Sequence, residues 1–219
     1  MLKDEYANKA KHYFAGERRE MLPFIPAAAQ KILEIGCGEA NFARVLKAQR
    51  PMHVTGVEPQ RSAAAVAATV LDRVLALDVE AGIDALTGQQ FDCIVFNDVL
   101  EHLVDPWITL ESVKPLVAKG GVVVASIPNM RYMPVFKELV LQGIWRYRQD
   151  GVMDKTHLRF FTQSSIVALF NDSGYAVNTI AGINGIEFPW KFGLLNKLLS
   201  DRFADTQFQQ YACVARLAQ

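Results

Sequence analysis

The sequence predicts an α/β protein built on a doubly wound, mostly parallel sheet, and three observations lead to that fold class. Short apolar segments alternate with helix-like segments from Lys31 onward. The first apolar segment runs into a Gly-x-Gly turn at Gly36 and Gly38, and the second ends at Glu58, 20 residues after Gly38. Parallel strands need helical crossovers, and strands covered on both faces are nearly all apolar.

The individual elements follow from the period of the apolar residues and from helix end signals. Five parallel strands are predicted at 31–35, 53–57, 73–77, 91–96 and 122–127, with helices at 40–49, 60–70 and 107–118 between them. Pro106 favours the start of the third helix, and Gly120 and Gly121 are expected to end it. Thr162 is a suitable N-cap for a further helix at 164–173. The last two strands are predicted at 175–181 and 209–217.

Length and composition indicate one domain that covers 1–219. The 219 residues suffice for a complete α/β core. An N-terminal helical cap is expected at 1–30, and lid or substrate inserts are expected at 129–161 and 182–206. Lys+Arg and Asp+Glu number 23 each, so the chain lacks the basic excess of a nucleic-acid-binding protein.

Cysteine spacing and hydropathy narrow the class of protein further. Cys37, Cys93 and Cys213 are far apart, so neither a disulfide framework nor a metal site is predicted. The N terminus is polar, and no apolar run reaches the ~18 residues of a membrane span. We therefore expect a cytoplasmic protein without a bound metal ion.

The turn after the first strand favours an adenosine-containing cofactor that has no diphosphate. A dinucleotide-binding turn reads Gly-x-Gly-x-x-Gly, because the pyrophosphate lies against the helix N-terminus. Here Asn41 replaces the third glycine, and Glu39 would place a carboxylate near the diphosphate. Glu34, at the entrance of the turn, suits a ligand that carries a sulfonium and an amine. These features disfavour a nicotinamide or flavin dinucleotide.

Five ordered motifs resemble those of class I S-adenosylmethionine-dependent methyltransferases. They are Leu-Glu-Ile-Gly-Cys-Gly at 33–38, Gly-Val-Glu-Pro at 56–59, Leu-Asp-Val at 77–79, the run at 91–102, and the glycine pair at 120–121. The resemblance extends from about Tyr13 to the end of the chain, and Ala40 departs from a glycine that is common in the family. It implies a Rossmann-like sheet of seven strands, mostly parallel with an antiparallel last strand, and helices on both faces.

The resemblance also implies which residues bind S-adenosylmethionine, with S-adenosylhomocysteine as the product. Backbone groups of the turn would line the methionine part, Glu58 would accept the two ribose hydroxyls, and Asp78 would accept from the adenine amine. Asn97 would offer its carbonyl oxygen to the cofactor amine, and Arg18 is a further candidate for pairing with the cofactor carboxylate. The complete predicted cofactor set is Glu34, Gly36, Cys37, Gly38, Glu58, Pro59, Asp78, Val79, Asn97, Asp98 and Val99.

Several of these carboxylates also have purely structural interpretations. Glu34 would pair with a neighbouring lysine, and Asp78 would cap a helical turn at 79–82. Asp98 would cap the helix that contains Trp107. For Glu58 we prefer the functional interpretation, because a bidentate, charge-assisted contact to ribose suits a carboxylate at the end of the second strand.

A second signal lies at 151–162, which resembles a segment of methyltransferases from sugar, polysaccharide and quinone pathways. It places Asp154, His157 and Arg159 beside an aromatic pair. A histidine titrates near neutral pH, so His157 is the candidate catalytic base that takes the proton from an acceptor hydroxyl. In the alternative interpretation, a hydrogen bond from His157 to Asp154 or to the backbone only holds the segment in place.

The predicted function is therefore methyl transfer to a small molecule, whose hydroxyl belongs to a sugar, a polysaccharide precursor or a quinone-type compound. Alternating aromatic and basic residues at 145–148 suit such a ring. The segment 188–203 is expected to form a lid or a homodimer surface, and contact with a membrane surface is a further option. A NAD-dependent oxidoreductase and a non-catalytic S-adenosylmethionine-binding module are the alternatives.

Overall fold

The computed structural model describes residues 16–218, apart from the side chains of Lys191 and Leu195. Its strands are β1 Lys31–Ile35, β2 His53–Val57, β3 Arg73–Leu75, β4 Phe91–Asn97, β5 Val117–Pro128, β6 Tyr175–Gly185 and β7 Phe208–Leu217. They form one seven-stranded sheet in the order β3-β2-β1-β4-β5-β7-β6. The first half of the predicted cap at 1–30 lies outside the described residues. Its second half contains a 3-10 helix at Arg19–Phe24.

Strand directions confirm the predicted sheet. β1 pairs in parallel with β2 and with β4, while β7 runs antiparallel to both β5 and β6. Strand order reverses beside β1, since the chain first builds β2 and β3 on one side and then β4 on the other. Doubly wound sheets bind ligands at such a switch point, outside the carboxyl ends of the strands.

Helices cover both faces of the sheet, as predicted. In the described part of the chain the α-helices are α1 Asn41–Gln49, α2 Arg61–Ala67, α3 Pro106–Ser112, α4 Met133–Gln142, α5 Gln163–Asp172 and α6 Trp190–Leu198. Neighbouring residues of β1 enter different apolar clusters: Ile32 packs in one cluster with Val54, and Leu33 packs in the other with Ile94. Successive side chains of a strand point to opposite faces, so both faces of β1 are buried.

The third predicted helix is shorter than expected, and the two glycines at 120–121 do not end it. α3 stops at Ser112, a 3-10 turn with Pro115 follows, and β5 already begins at Val117. Proline has no N–H with which to continue an α-helix. Both glycines lie inside β5, where the register against β4 shifts. A Cβ on Gly121 would lie 3.0 Å from the carbonyl oxygen of Phe91, so the close approach of the two strands explains this glycine.

The two predicted inserts lie largely at the surface. α4 contributes no fully buried side chain, and α6 exposes Trp190, Leu194 and Leu198. β6 continues to Gly185, so residues 182–185 belong to the sheet and not to an insert. Among the described helices, none combines the length and the apolar character that crossing a membrane requires.

Gly56 in β2 allows the turn after β1 to approach the sheet. A Cβ at this position would lie 2.6 Å from Sγ of Cys37 and 2.5 Å from Cδ1 of Leu71. We expect Gly56→Ala to lower the free energy of unfolding by about 1–3 kcal/mol in urea denaturation, the usual cost of overpacking. Gly193→Ala is the matched control, because a Cβ there meets nothing within 4 Å and alanine favours a helix. An equal loss in both variants would contradict the packing argument.

Candidate functional site

Two adjoining cavities open at the carboxyl ends of β1, β2 and β4. The first has a volume of about 230 Å³ and lies beside the turn that follows β1. The second has a volume of about 640 Å³ and lies between the ends of β1 and β2 and the loops after β3 and β4. Because Gly36, Asp98, Val99 and His102 line both cavities, the two form a continuous cleft.

The turn at 36–38 is held against the end of β2 by its backbone. Its first two N–H groups donate to the carbonyl oxygen of Val57, at 2.8 and 3.1 Å. The N–H of Gly38 donates to Oε2 of Glu58 at 2.9 Å. Ala40 then adopts a left-handed backbone, with φ of 62°, just before α1. The Gly-x-Gly turn predicted from the sequence is therefore present, and Ala40 adopts a conformation that favours glycine.

Glu58 is fully buried behind this turn. Its two carboxylate oxygens each accept a backbone hydrogen bond of 2.9 Å, one from Gly38 and one from Gln60. Burial raises the pKa of the Glu58 carboxyl, and the two N–H donors oppose that rise. Each oxygen keeps a second lone pair for another donor. Of the predicted cofactor residues, Glu58 is the one that lines neither cavity.

Glu34 and Asn97 place buried polar atoms at the wall of the first cavity. Glu34 is 3% exposed, and its Oε2 has no hydrogen-bond partner among the described residues. Burial raises the pKa of Glu34 to about 8, the Asn97 amide opposes that rise, and the charge of Glu58 adds to it. No hydrogen bond of standard geometry joins Asn97 to the carboxyl, so both polar atoms of that amide are also unpaired within the described chain.

Asp98 connects the end of β4 to three other parts of the fold. Its carboxylate accepts hydrogen bonds from Arg18 at 2.5 and 2.9 Å, from Ser126 at 2.8 Å and from Gln210 at 2.9 Å. These contacts hold Asp98 in a left-handed backbone with φ of 54°. The capping interpretation of Asp98 is wrong, because Asp105 is the residue that caps α3.

The second cavity contains the remaining predicted cofactor residues. Pro59, Asp78 and Val79 all line it. Oδ1 of Asp78 accepts a hydrogen bond of 3.1 Å from the N–H of Glu80 and so caps the 3-10 helix Val79–Ala81. The structural interpretation of Asp78 is therefore correct. A carboxylate has about four acceptor positions, so this cap is compatible with a ligand contact.

His157 reaches the first cavity from the segment between β5 and α5. It is 7% exposed, and its Nδ1 lies 3.0 Å from the carbonyl oxygen of Val152. The ring packs edge-on against His102 with 4.7 Å between centroids, and Nε2 lies 3.9 Å from Oε1 of Glu101. The fold thus brings the predicted base into the same cleft as the predicted cofactor residues. The backbone hydrogen bond of the structural interpretation is present as well.

Glu101 and Gln210 lie in the cleft and are absent from the set of site residues that the sequence predicts. Glu101 is 1% exposed, lines the first cavity and has no hydrogen-bond partner for either carboxylate oxygen among the described residues. The Glu101-His102 pair after β4 was the available sequence signal. Gln210 on β7 reaches Asp98 from 112 residues along the chain, and no local pattern indicates that contact.

A protein-family model described as a methyltransferase domain matches residues 6–180, well over half of the chain. The chain belongs to this methyltransferase family. Its cofactor is S-adenosylmethionine, and solved structures of similar fold are complexes with S-adenosylhomocysteine. The enzyme class predicted from the five motifs is confirmed, and the oxidoreductase alternative is wrong.

Relatives of this methyltransferase act in a named pathway. The ubiquinone biosynthesis O-methyltransferase of Stutzerimonas stutzeri is 29% identical over 169 residues, which cover 73% of this chain and 70% of the relative. The enzyme of the same name from Pseudomonas aeruginosa is 27% identical over 191 residues, which cover 82% and 79%. These similarities support methylation of a small molecule.

Solved structures confirm the fold of this methyltransferase. A SAM-dependent methyltransferase from Archaeoglobus fulgidus aligns with a TM-score of 0.65 and 16% identity, over 98% of this chain and 97% of that one. The DhpI–SAH complex aligns with a TM-score of 0.63 and 19% identity, over 99% and 95%.

The cleft of this methyltransferase suits the chemistry of S-adenosylmethionine. Oε2 of Glu34 and the Asn97 amide offer unpaired buried polar atoms, which are costly unless a ligand supplies partners. The cofactor carries a sulfonium and an amine that can use such acceptors. The second cavity has mostly apolar walls with a few carboxylates, a lining typical of nucleoside sites.

Proposed function

We propose that this methyltransferase transfers a methyl group to a hydroxyl on an aromatic ring of the quinol or phenol type. One observation carries the proposal: an aromatic cluster formed by Trp145, Tyr147 and Phe160 lies beside His157. Phe160 is 5.4 Å from Trp145, 6.3 Å from Tyr147 and 6.4 Å from His157, measured between ring centroids. Trp145 and Tyr147 are about half exposed, so a ring-shaped acceptor has aromatic surface to pack against.

The aromatic cluster suits an acceptor with an uncharged ring better than an acceptor that carries a sugar phosphate. Arg148, one of the two arginines interleaved with the aromatic residues, is paired with Glu138. An acceptor phosphate would have to compete with that carboxylate for the guanidinium. The relatives named for ubiquinone biosynthesis are O-methyltransferases, which agrees with a ring hydroxyl as the acceptor.

We assign the predicted inserts to the acceptor side of the cleft. From the insert 129–161, Val152 and His157 line the first cavity. Arg131 of that insert binds Asp205 of the other, with hydrogen bonds of 2.5 and 3.0 Å. This ion pair joins the two inserts into one covering layer. Membrane-surface contact through 188–203 and a homodimer stay predictions.

The cofactor roles are proposed as the motifs imply them. Glu58 would accept from the ribose hydroxyls, Asp78 from the adenine amine, and the Asn97 carbonyl from the cofactor amine. The positions of Asp78 and Asn97 in the two cavities support this arrangement. S-adenosylmethionine supplies an electrophilic methyl group on a sulfonium that leaves as a neutral thioether. The protein then has to align the acceptor and remove its proton.

His157 is the proposed base for that proton. Its Nδ1 faces a backbone carbonyl, which can only accept, so Nδ1 carries a hydrogen and Nε2 is the nitrogen that takes the proton. The backbone contact with Val152 therefore sets the tautomer as well as the ring position. In this way the structural and catalytic interpretations of His157 are compatible.

Methyl transfer from tritiated S-adenosylmethionine tests this function. We expect label in a catechol or quinol acceptor and none in a nucleotide sugar, with the product identified by mass spectrometry. His157→Ala should lower kcat by about 10²–10⁴-fold, the usual effect of losing a general base. It should leave S-adenosylhomocysteine binding intact. His53→Ala, on an exposed histidine at the start of β2, is the control. Full turnover by His157→Ala, or label only in a sugar, would contradict the proposal.

A further inference from the structure

Gln210 is a buried glutamine of β7 that binds Asp98 from two strands away, since β5 lies between β7 and β4. Gln210 is 7% exposed, and its Nε2 donates to Oδ1 of Asp98 at 2.9 Å. Its Oε1 accepts from the side-chain amide of Asn184 in β6 at 2.8 Å. Both ends of the Gln210 amide therefore have a partner, and these partners fix which end faces Asp98.

Asp98 is an anchor point at the end of β4, because three further contacts converge on its carboxylate. Nη2 of Arg18 donates to Oδ1 at 2.9 Å, and Nη1 lies 2.5 Å from Oδ2. The hydroxyl of Ser126 on β5 donates to Oδ1 at 2.8 Å and accepts from the Asp98 N–H at 3.0 Å. A carboxylate has about four acceptor positions, so the contacts with Gln210, Arg18 and Ser126 saturate this side chain.

The anchored side chain holds the backbone of Asp98 in a conformation that it would otherwise avoid. Its φ of 54° lies in the left-handed region, which disfavours residues other than glycine. This turn directly follows Asn97, whose carbonyl is the proposed acceptor for the cofactor amine. No hydrogen bond of standard geometry holds the Asn97 amide within the described chain. The position of Asn97 therefore depends on its backbone, which Asp98 fixes at one end.

Arg18 is the second group that the anchor positions. Its guanidinium binds Asp98 with two nitrogens, and Nη2 also donates to Oγ of Ser126 at 2.7 Å. Arg18 and Asn97 both line the first cavity. They are the predicted partners of the cofactor carboxylate and of the cofactor amine. Asp98 thus connects the two groups that would hold the amino-acid end of the cofactor.

We propose that Gln210 is a positioning residue that, through Asp98, sets the affinity for the amino-acid end of the cofactor. Without the Gln210 donor, Asp98 loses one of its four side-chain contacts and is less firmly held in the left-handed conformation. The adenosine end would be held elsewhere, because Asp78 and Val79 line the second cavity and Gln210 does not. This inference rests on the cofactor roles in the proposed function and is independent of the acceptor.

Two ligands that share the thioadenosine group test this inference without any acceptor. S-adenosylhomocysteine carries the amine and the carboxylate, whereas 5′-methylthioadenosine lacks both. In calorimetry, Gln210→Leu should weaken S-adenosylhomocysteine binding by at least about 5-fold and change 5′-methylthioadenosine binding by less than about 2-fold. Gln207→Leu is the matched control, because the Gln207 amide donates to the carbonyl of Ala204 at 3.0 Å. It should weaken neither ligand.

Asn184→Gly is the second variant, which removes the amide that orients Gln210. Asn184 has a φ of 52°, a conformation that glycine adopts without strain. This variant should weaken S-adenosylhomocysteine binding less than Gln210→Leu does, and it should also leave 5′-methylthioadenosine binding unchanged. Such selective losses would support the positioning role.

Two results would overturn the positioning role and leave the proposed acceptor standing. One is unchanged S-adenosylhomocysteine binding in Gln210→Leu. The other is an equal loss for both ligands, which would indicate a general loosening of the fold. Equal affinity of the wild type for the two ligands would instead contradict the cofactor roles of Asn97 and Arg18, and the inference with them. Label found only in a sugar would contradict the proposed acceptor and leave the inference intact.

Discussion

Glu34→Gln should make this methyltransferase more stable at neutral pH, by about 3 kcal/mol at pH 7. Burial raises the pKa of Glu34 from 4.5 to about 8, so the folded protein keeps this carboxyl protonated at pH 7 while the unfolded chain ionises it. Wild-type stability is therefore lost as pH rises from 4.5 to 8. Glutamine resembles the protonated acid in shape and does not ionise, so the variant escapes this loss.

Urea denaturation across pH checks the expectation. The gain of Glu34→Gln over the wild type should be absent near pH 4, grow between pH 4.5 and 8, and level off above pH 8. Glu111→Gln removes an exposed carboxyl of α3 and should change the free energy of unfolding by less than about 0.5 kcal/mol. A difference between Glu34→Gln and the wild type that stayed constant from pH 4 to pH 8 would contradict the raised pKa of Glu34.

Glu34→Gln should also weaken the binding of S-adenosylmethionine. A cationic ligand favours the ionised carboxylate, so wild-type affinity for S-adenosylmethionine should rise as pH approaches 8. Glu34→Gln should bind more weakly, with a flatter pH dependence. Calorimetry in two buffers of different ionisation enthalpy would detect the proton that wild-type binding releases. Identical proton release in wild type and variant would rule out Glu34 as its source.

Glu58→Ala should lower the affinity for S-adenosylhomocysteine by roughly 10- to 150-fold, the range for hydrogen bonds to a charged group. The structure gives Glu58 a second task, since it accepts from the N–H groups of Gly38 and Gln60. Loss of the carboxylate therefore loosens the turn in addition to removing the proposed ribose contact. Glu58→Gln keeps one carbonyl acceptor and should lie between wild type and Glu58→Ala.

A ligand that lacks a ribose hydroxyl separates the two tasks. In the wild type, 2′-deoxy-S-adenosylhomocysteine should bind more weakly than S-adenosylhomocysteine. In Glu58→Ala the two ligands should bind nearly alike, because the partner of that hydroxyl is gone. If the loss of affinity from Glu58→Ala and the loss from the missing hydroxyl simply added, the ribose assignment would be contradicted. Glu58 would then only support the turn. Glu39→Ala, a half-buried carboxyl near the turn that lines neither cavity, is the control.

The parts of the fold that the sequence predicted well depend on local patterns. β1 and β2 have the predicted bounds, and Thr162 caps α5 through a hydrogen bond to Ser165. The predicted third helix is too long, because the glycine pair at 120–121 resembles a helix end although it lies inside β5. Those glycines serve the contact between β4 and β5, which becomes visible only when two strands meet in the sheet.

For the site, too, local motifs were predicted well and contacts between distant residues were not. The Gly-x-Gly turn follows β1 as the motifs indicated, and Glu34 and Asp78 line the cleft, whereas Glu58 lines neither cavity. The sequence did not indicate that burial raises the pKa of Glu34, that Asp98 binds Arg18 and Gln210, or that Glu101 faces His157. Each of these properties depends on residues that are far apart in the chain.

The sequence by itself determined the parallel α/β core, since strand period and turn glycines are local patterns. It also determined the class of cofactor, since the motifs follow one another in a fixed order along the chain. Only the tertiary structure decided the burial of Glu34 and the 3.9 Å approach of the Glu101 carboxyl to the His157 ring. Burial raises the pKa of Glu34, and Glu101 meets His157 because the loop after β4 packs against the segment between β5 and α5.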